Sequence, residues 1–168
     1  TDYVFDGEAT EPYKETDKTN PKNIYGNSKL KGEQLALQIL EDDLLIIRTS
    51  WLYSLRGPSF LSTMVRLLEE RESIEVVNDQ FGTPTSSMRL AEVIFQSVKT
   101  HLRGLYNFSD LGSATWYDFA VAIRDILVQD NPNKKYGDIN PVSSDFFSSR
   151  VNRPHYSVLD KTKIINSI

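Results

Sequence analysis

Tyr25 and Lys29, in the stretch Tyr25-Gly26-Asn27-Ser28-Lys29, are the residues whose types and spacing speak most directly of chemistry. Side chains four apart on a helix share a face, with Cβ atoms about 5–6 Å apart. An ammonium that near stabilises a tyrosinate and lowers the phenol pKa from its ordinary value of about 10. A phenol tuned in this way can donate its proton to an oxyanion growing on a carbonyl. Upstream, Thr1-Asp2-Tyr3-Val4-Phe5 reads as the tail of a buried strand. The C-terminal end of a strand is where an open α/β sheet collects its reactive groups, so the Thr1 hydroxyl joins the candidates.

Arg153 precedes Pro154 in a late loop; it either meets phosphate, which arginine grips bidentately, or sits in a structural salt bridge. Arg48, near Trp51 at the end of the next strand, carries the same two readings. Glu15 and Asp17 are expected on a solvated, proline-flanked loop, although paired carboxylates also serve glycoside chemistry. Asp2 and Asp6 have no metal-ligand partners at a convincing spacing, and His101 and His155 lie far apart, so no metal site is expected. Trp116, Tyr117 and Phe119 recur at helical spacing, and core packing is their first explanation.

The elements that must position these groups alternate. A polar loop with Pro12 and Pro21 runs from Asp6 to Lys22. A helix is predicted from about Asn23 to Glu41, with Leu35, Ala36, Ile39 and Leu40 at helical spacing. Leu44 to Ile47 is a short apolar run of the kind found in parallel strands buried on both faces. The spacing then predicts a helix over Phe60 to Arg71, a strand over Ile74 to Val77 and a helix over Arg89 to His101. A strand opened by Gly104 follows, then a helix capped by Thr115 and running through Val128, because the threonine hydroxyl can bond an orphan backbone N–H. Asn131-Pro132-Asn133 stops that helix. Ser143 to Arg150 is a Ser/Phe-rich loop, and the last short elements fall between Tyr156 and Ile168. This alternation indicates the α/β class.

Composition narrows the partners. With 168 residues, 39% hydrophobic and 25% charged, the chain can bury a real core. A net charge of -4 argues against a nucleic-acid surface, which would be basic. No run of about 18 apolar residues exists to span a membrane, and no charged segment followed by an apolar stretch marks a secretory signal. The absence of cysteine excludes disulfides and thiolate chemistry, and fits a reducing cytoplasm. Oligomeric state is not readable from the sequence; a homodimer, the commonest soluble assembly, is one candidate.

Longer motifs surround the Tyr/Lys pair. They include Pro21-x-Asn23-x-Tyr25-Gly26-x-Ser28-Lys29-x-x-Gly32-Glu33, then Arg48-Thr49-Ser50-Trp51-Leu52-Tyr53 and Asp79-Gln80-x-Gly82-x-Pro84-Thr85. Gly104-Leu105-Tyr106-Asn107, Thr115-Trp116-Tyr117-Asp118-Phe119-Ala120 and Arg153-Pro154-x-Tyr156-Ser157-x-Leu159-Asp160 follow. Together with Thr1-Asp2-Tyr3-Val4-Phe5-Asp6-Gly7, the ensemble resembles the extended short-chain dehydrogenase/reductase family, and within it the dTDP-4-dehydrorhamnose reductases. The resemblance covers nearly the whole chain. It implies a Rossmann-like doubly wound sheet with a small substrate-binding region, divided here as 1–55 and 56–168, with later elements returning to the first part. It implies hydride transfer from NADPH or NADH to the C4 keto carbon of a dTDP-sugar. In that scheme Tyr25 protonates the alkoxide, and Lys29 tunes Tyr25 and holds the nicotinamide ribose. Thr1 hydrogen-bonds the keto oxygen, Trp51 packs on the sugar ring, and Arg153 meets the nucleotide.

One part of the pattern is missing. No glycine-rich turn joins an initial strand to a helix, and the eight glycines are scattered. The chain is therefore expected to be a fragment that binds the cofactor poorly alone, with Leu44–Ile47 open to association. Two alternatives stay open. One is a non-catalytic binding subunit resembling the regulatory subunit of methionine adenosyltransferase, and the other is a different sugar-nucleotide reductase or epimerase.

Overall fold

The structure, a computed structural model, describes residues 1–148 and 151–168. Its first element is a correction. Asp2–Val4 form one turn of 3-10 helix, not a strand end. The Thr1 hydroxyl accepts from the Tyr3 N–H at 3.4 Å, and the Phe5 N–H donates to the Asp2 carbonyl at 3.1 Å. These local bonds satisfy backbone groups that a strand would have to pair sideways. Val4 and Phe5 remain fully buried, so the apolar reading of the segment holds although its shape does not.

Helix α1 spans Ile24–Leu40, with Asn23 as its N-cap. The asparagine side chain accepts from the Gly26 N–H at 2.8 Å, one of the donors a helix start leaves free. Strand β1, Leu45–Arg48, follows a short turn, and β2 is Leu52–Tyr53. Helix α2, Phe60–Glu70, opens on a reciprocal cap between Ser59 and Ser62. Strand β3 is Ser73–Val77, β4 is Phe81–Gly82 and β5 is Thr85–Ser86. Helix α3 runs Ser87–Lys99, two residues earlier at each end than its apolar pattern suggests, and β6 is Gly104–Asn107. Strand β7, Ala114–Thr115, leads into α4, Trp116–Asp130, where Thr115 and Asp118 cap each other. Strand β8, Asp138–Val142, and a short helix α5, Thr162–Ile165, complete the elements.

The pairing is mostly parallel, as the α/β reading requires. β1 lies against β6 with Leu45 opposite Gly104, and β3 lies against β8 with Ile74 opposite Ile139. Leu45, Ile46 and Ile47 are half-buried here, rather than buried on both faces as their apolar run suggests. Strand β8 was not expected, because Asn140 and Pro141 disguise it; Pro141 cannot donate to a ladder and suits an edge position. Part of the Ser143–Arg150 loop forms a 3-10 turn at Ser144–Phe146, and residues 149 and 150 lie outside the described ones.

Two apolar clusters organise the chain. The larger joins Met64 and Leu68 of α2, Ile74 and Val76 of β3, Ala120 and Ile123 of α4, and Ile139 of β8. The smaller joins Val4, Phe5, Tyr13 and Leu159. A parallel bridge from Tyr13 to Leu159 draws the C-terminal segment back against the N-terminal loop, and one from Phe81 to Tyr156 ties it to β4.

Candidate functional site

A cavity of about 860 Å³ opens beside the larger cluster. Phe60, Met64, Val76 and Trp116 give it an apolar wall from the larger cluster, and Tyr3 and Arg153 line it from the other side. An apolar pocket with a few converging polar groups is the usual form of a small-molecule site.

Tyr25, on the first turn of α1, does not line this cavity and meets it through Tyr3, which does. Its ring meets the edge of Tyr3, with centroids 5.5 Å apart and planes at 84°. Gly26 makes this approach attainable: a Cβ there would fall 2.1 Å from the Tyr3 carbonyl oxygen. Tyr25 stays 49% exposed, so its phenol is not a core group. Lys29 lies one turn on, its Nζ 5.7 Å from the Tyr25 ring centroid. Among the described residues no carboxylate lies within ion-pair distance of that ammonium. The helix thus brings the pair together as its spacing predicts.

Thr1 belongs to the same 3-10 turn as Tyr3. Its hydroxyl donates to the Asp2 carboxylate at 3.1 Å. Asp2 is 2% exposed, and burial raises its carboxyl above the ordinary range, with the Ser157 and Thr1 hydroxyls opposing the rise. Burial also raises the Tyr3 phenol, helped by Asp2 and opposed by Arg153. Arg153 therefore acts electrostatically on a residue next to the Tyr/Lys pair.

Trp51, expected on the sugar ring, has its other face on a second indole. Its indole stacks on Trp116, with centroids 3.5 Å apart and planes within 7°, and Trp116 lines the cavity. Trp51 holds a left-handed backbone, φ 44°, which is uncommon outside glycine. Gly82 lies directly beneath it; a Cβ at that position would come within 2.4 Å of the indole. Trp116 packs against the larger cluster and also faces the cavity, so core packing accounts for only part of its surroundings.

Arg48 resolves towards its structural reading. It is 3% exposed and makes a two-pronged bond to Glu33 of α1, at 2.7 Å through Nη2 and 3.1 Å through Nε. Its guanidinium also lies 5.2 Å from the Phe5 ring centroid. This pair fastens α1 to β1 and so fixes the helix that carries Tyr25 and Lys29. Glu15 corrects its expected solvated position: its carboxylate accepts the Asn107 N–H at 2.8 Å at the end of β6. Asp17 accepts the Lys14 N–H at 2.7 Å, an exposed local turn. Asp6 accepts from the Tyr13 hydroxyl at 2.8 Å; burial works against its ionisation, but hydrogen bonds from Tyr13, Glu8 and Asn20 hold it below the ordinary carboxylate range.

The sequence reading gave no role to Tyr3 or Gln80 and only core packing to Trp116, and all three line the cavity. Each lies inside a motif already singled out, so the signal was proximity to that motif rather than residue type.

The family model for the RmlD substrate binding domain matches residues 1–168. The chain belongs to this family. It is 43% identical over 159 residues to a dTDP-4-keto-6-deoxy-D-glucose reductase of Streptomyces niveus, covering 95% of this chain and 54% of that protein. It is 39% identical to the dTDP-4-dehydrorhamnose reductase of Escherichia coli K12, covering 97% of this chain and 56% of the relative. Among solved structures, dTDP-4-dehydrorhamnose reductase of Bacillus anthracis in complex with NADP superimposes with a TM-score of 0.89 at 40% identity, covering 98% of this chain and 56% of that one. The chain thus spans about half the length of the relatives it matches.

Proposed function

We propose that this chain supplies the proton-donating and sugar-nucleotide-binding part of an NAD(P)H-dependent reductase. The reaction is reduction of the C4 keto group of dTDP-4-dehydro-L-rhamnose to dTDP-L-rhamnose, as a step in building cell-surface polysaccharide. The observation that carries this reading is the Tyr25–Lys29 pair, joined through Tyr3 to a cavity of nucleotide-sugar size, with a half-exposed phenol and an ammonium that no carboxylate among the described residues pairs. Similarity to dTDP-sugar reductases, one of them solved with NADP, supports it.

Within this reading the residues divide the work. A reduced nicotinamide, when bound, supplies the hydride. Tyr25 holds the proton that the new alkoxide takes up, and Lys29 stabilises the phenolate left behind and binds the ribose hydroxyls. The Lys29 ammonium fits that task because no carboxylate among the described residues claims it. Thr1 turns its hydroxyl from Asp2 to the keto oxygen, exchanging one acceptor for another as charge develops there. A donor aimed at such charge commonly contributes about 3–4 kcal/mol of transition-state stabilisation. Arg153 meets the diphosphate, as a planar guanidinium does well. Trp51 acts on the sugar through its stack with Trp116, which presents the apolar face to the cavity. The chain has no glycine-rich turn of its own, so its contribution to the cofactor is the nicotinamide end.

We divide the chain by role at residue 55. Residues 1–55 carry the Tyr/Lys helix, residues 56–168 carry most of the substrate wall, and β6 returns to pair with β1. No helix among the described residues is long and apolar enough to cross a membrane; the cysteine-free composition suits a reducing cytoplasm, and the acidic one argues against a nucleic-acid partner. A homodimer is the assembly we expect of the intact enzyme.

The test is NADPH and NADH oxidation by the intact protein, given dTDP-4-dehydro-L-rhamnose or dTDP-4-keto-6-deoxy-D-glucose, with the sugar product identified. Turnover of the first substrate to dTDP-L-rhamnose is the expected result. Preference for the second would change the sugar, and no turnover of either would favour a binding subunit.

A further inference from the structure

Asn23 is already used once, as the N-cap of α1, through its side-chain oxygen. Its side-chain nitrogen faces elsewhere. Nδ2 donates to the backbone carbonyl of Asn152 at 2.9 Å, across 129 residues of sequence. Asn152 and Arg153 both line the cavity. The far side of the same segment is held by the N-terminal motif: the Tyr156 N–H donates to the Gly7 carbonyl at 3.2 Å. Gly7 has φ 83°, and a Cβ there would come within 2.6 Å of the Pro154 backbone. Arg153 is therefore suspended between two anchors, one of which is the residue that starts the Tyr25 helix.

We propose that Asn23 is a positioning residue that sets the Arg153 loop in register with the Tyr25/Lys29 helix, so that the grip on the anionic end of the substrate and the proton donor share one reference point. The proposal rests on the reductase reading for its catalytic consequence, but the linkage itself does not. One amide performs both tasks because its two ends differ: the oxygen accepts from the helix and the nitrogen donates to the loop. A substitution can therefore separate them. Serine caps a helix about as well as asparagine, but offers no donor of that reach.

The experiment compares Asn23→Ser with wild type and with Asn23→Ala in the intact protein. Two readouts are taken: steady-state kinetics with the dTDP-4-keto sugar, and amide hydrogen exchange. Asn23→Ser should raise KM for the sugar nucleotide about three- to tenfold, the range one net hydrogen bond carries, with kcat within about twofold. Exchange over residues 151–157 should rise by a similar factor while residues 26–33 keep their protection. Asn23→Ala should loosen both segments. If Asn23→Ser leaves both KM and exchange over 151–157 at wild-type values, the linkage is refuted. If it loosens the helix and the loop together, Asn23 is only a cap, and the proposal also falls. Absence of turnover in wild type would instead remove the reductase reading, and the exchange comparison would still decide whether Asn23 ties helix to loop.

Discussion

Around α2, α4, β3 and β8 the chain is held by a contiguous apolar cluster, in which Leu68, Ile74, Ala120 and Ile123 are almost wholly shielded from water. Around α1 the means are different. The helix has 17 residues, yet Gly26 alone among them is buried, and Leu35 and Ile39 remain 57% and 76% exposed. Within this chain, which spans about half the length of its relatives, α1 is held by Leu30 packed on the smaller cluster and by a few directional contacts: the Glu33–Arg48 pair, the Asn23 cap, and the close approach of Gly26 to Tyr3. The side that forms the apolar wall is built by packing, which tolerates compensating changes of shape. The side that carries the proton donor is built by geometry-dependent polar bonds, which do not. A group that must deliver a proton to one atom is thus positioned by the kind of contact that fixes angles as well as distances.

This contrast can be broken by substitution. The largest effect is expected from Glu33→Ala, which leaves the Arg48 guanidinium buried without its partner. Removing one member of a buried pair costs about 3–5 kcal/mol, read by denaturant titration of the intact protein. A loss under about 1 kcal/mol would show that α1 does not depend on the ion pair. Leu68→Ala comes next, at about 2–5 kcal/mol, through the cavity it leaves in the larger cluster. Hydrogen exchange should then rise in α2 and α4 while α1 is spared; equal loosening of α1 would dissolve the distinction between the two sides.

Asp2→Asn sharpens the comparison through pH. Burial holds the Asp2 carboxyl above its ordinary 3.8 in the folded state. The native protein therefore binds that proton more readily than the unfolded chain does. Stability falls as pH rises from 3.8 through the raised native value. Asparagine removes the titrating group, so the variant should gain on wild type at neutral pH and lose that part of the slope. Melting temperatures measured from about pH 4 to 8 check this, and parallel curves would contradict it. The smallest effect is expected from Thr115→Ala, about 1 kcal/mol from the lost cap of α4, with no change in α1.

The same contrast explains what could be read in advance. Elements whose identity lies in local pattern were legible: α1, α2 and α4 follow from apolar spacing, α4 also from Thr115 at its start, and β1, β3 and β6 from short apolar runs. Elements made by long-range pairing were not. β8 hides behind Asn140 and Pro141, and Val4 and Phe5 look like strand because buried turns and buried strands share a composition. Within the site, the Tyr25–Lys29 spacing translates directly into helix geometry. By contrast, Arg48 required knowing that Glu33 faces β1, and Glu15 required knowing that the proline loop returns to Asn107. The stack of Trp51 on Trp116 joins residues 65 positions apart, which no local pattern records.

The central claim is that Tyr25 gives up the proton, and its direct test is the intact protein carrying Tyr25→Phe, assayed for reduction of the dTDP-4-keto sugar. The phenol is half-exposed, so the melting temperature should stay at the wild-type value while kcat falls about 10²- to 10⁴-fold, the usual contribution of a positioned acid. A variant that folds as wild type does and turns over at an undiminished rate would show that the proton comes from another group.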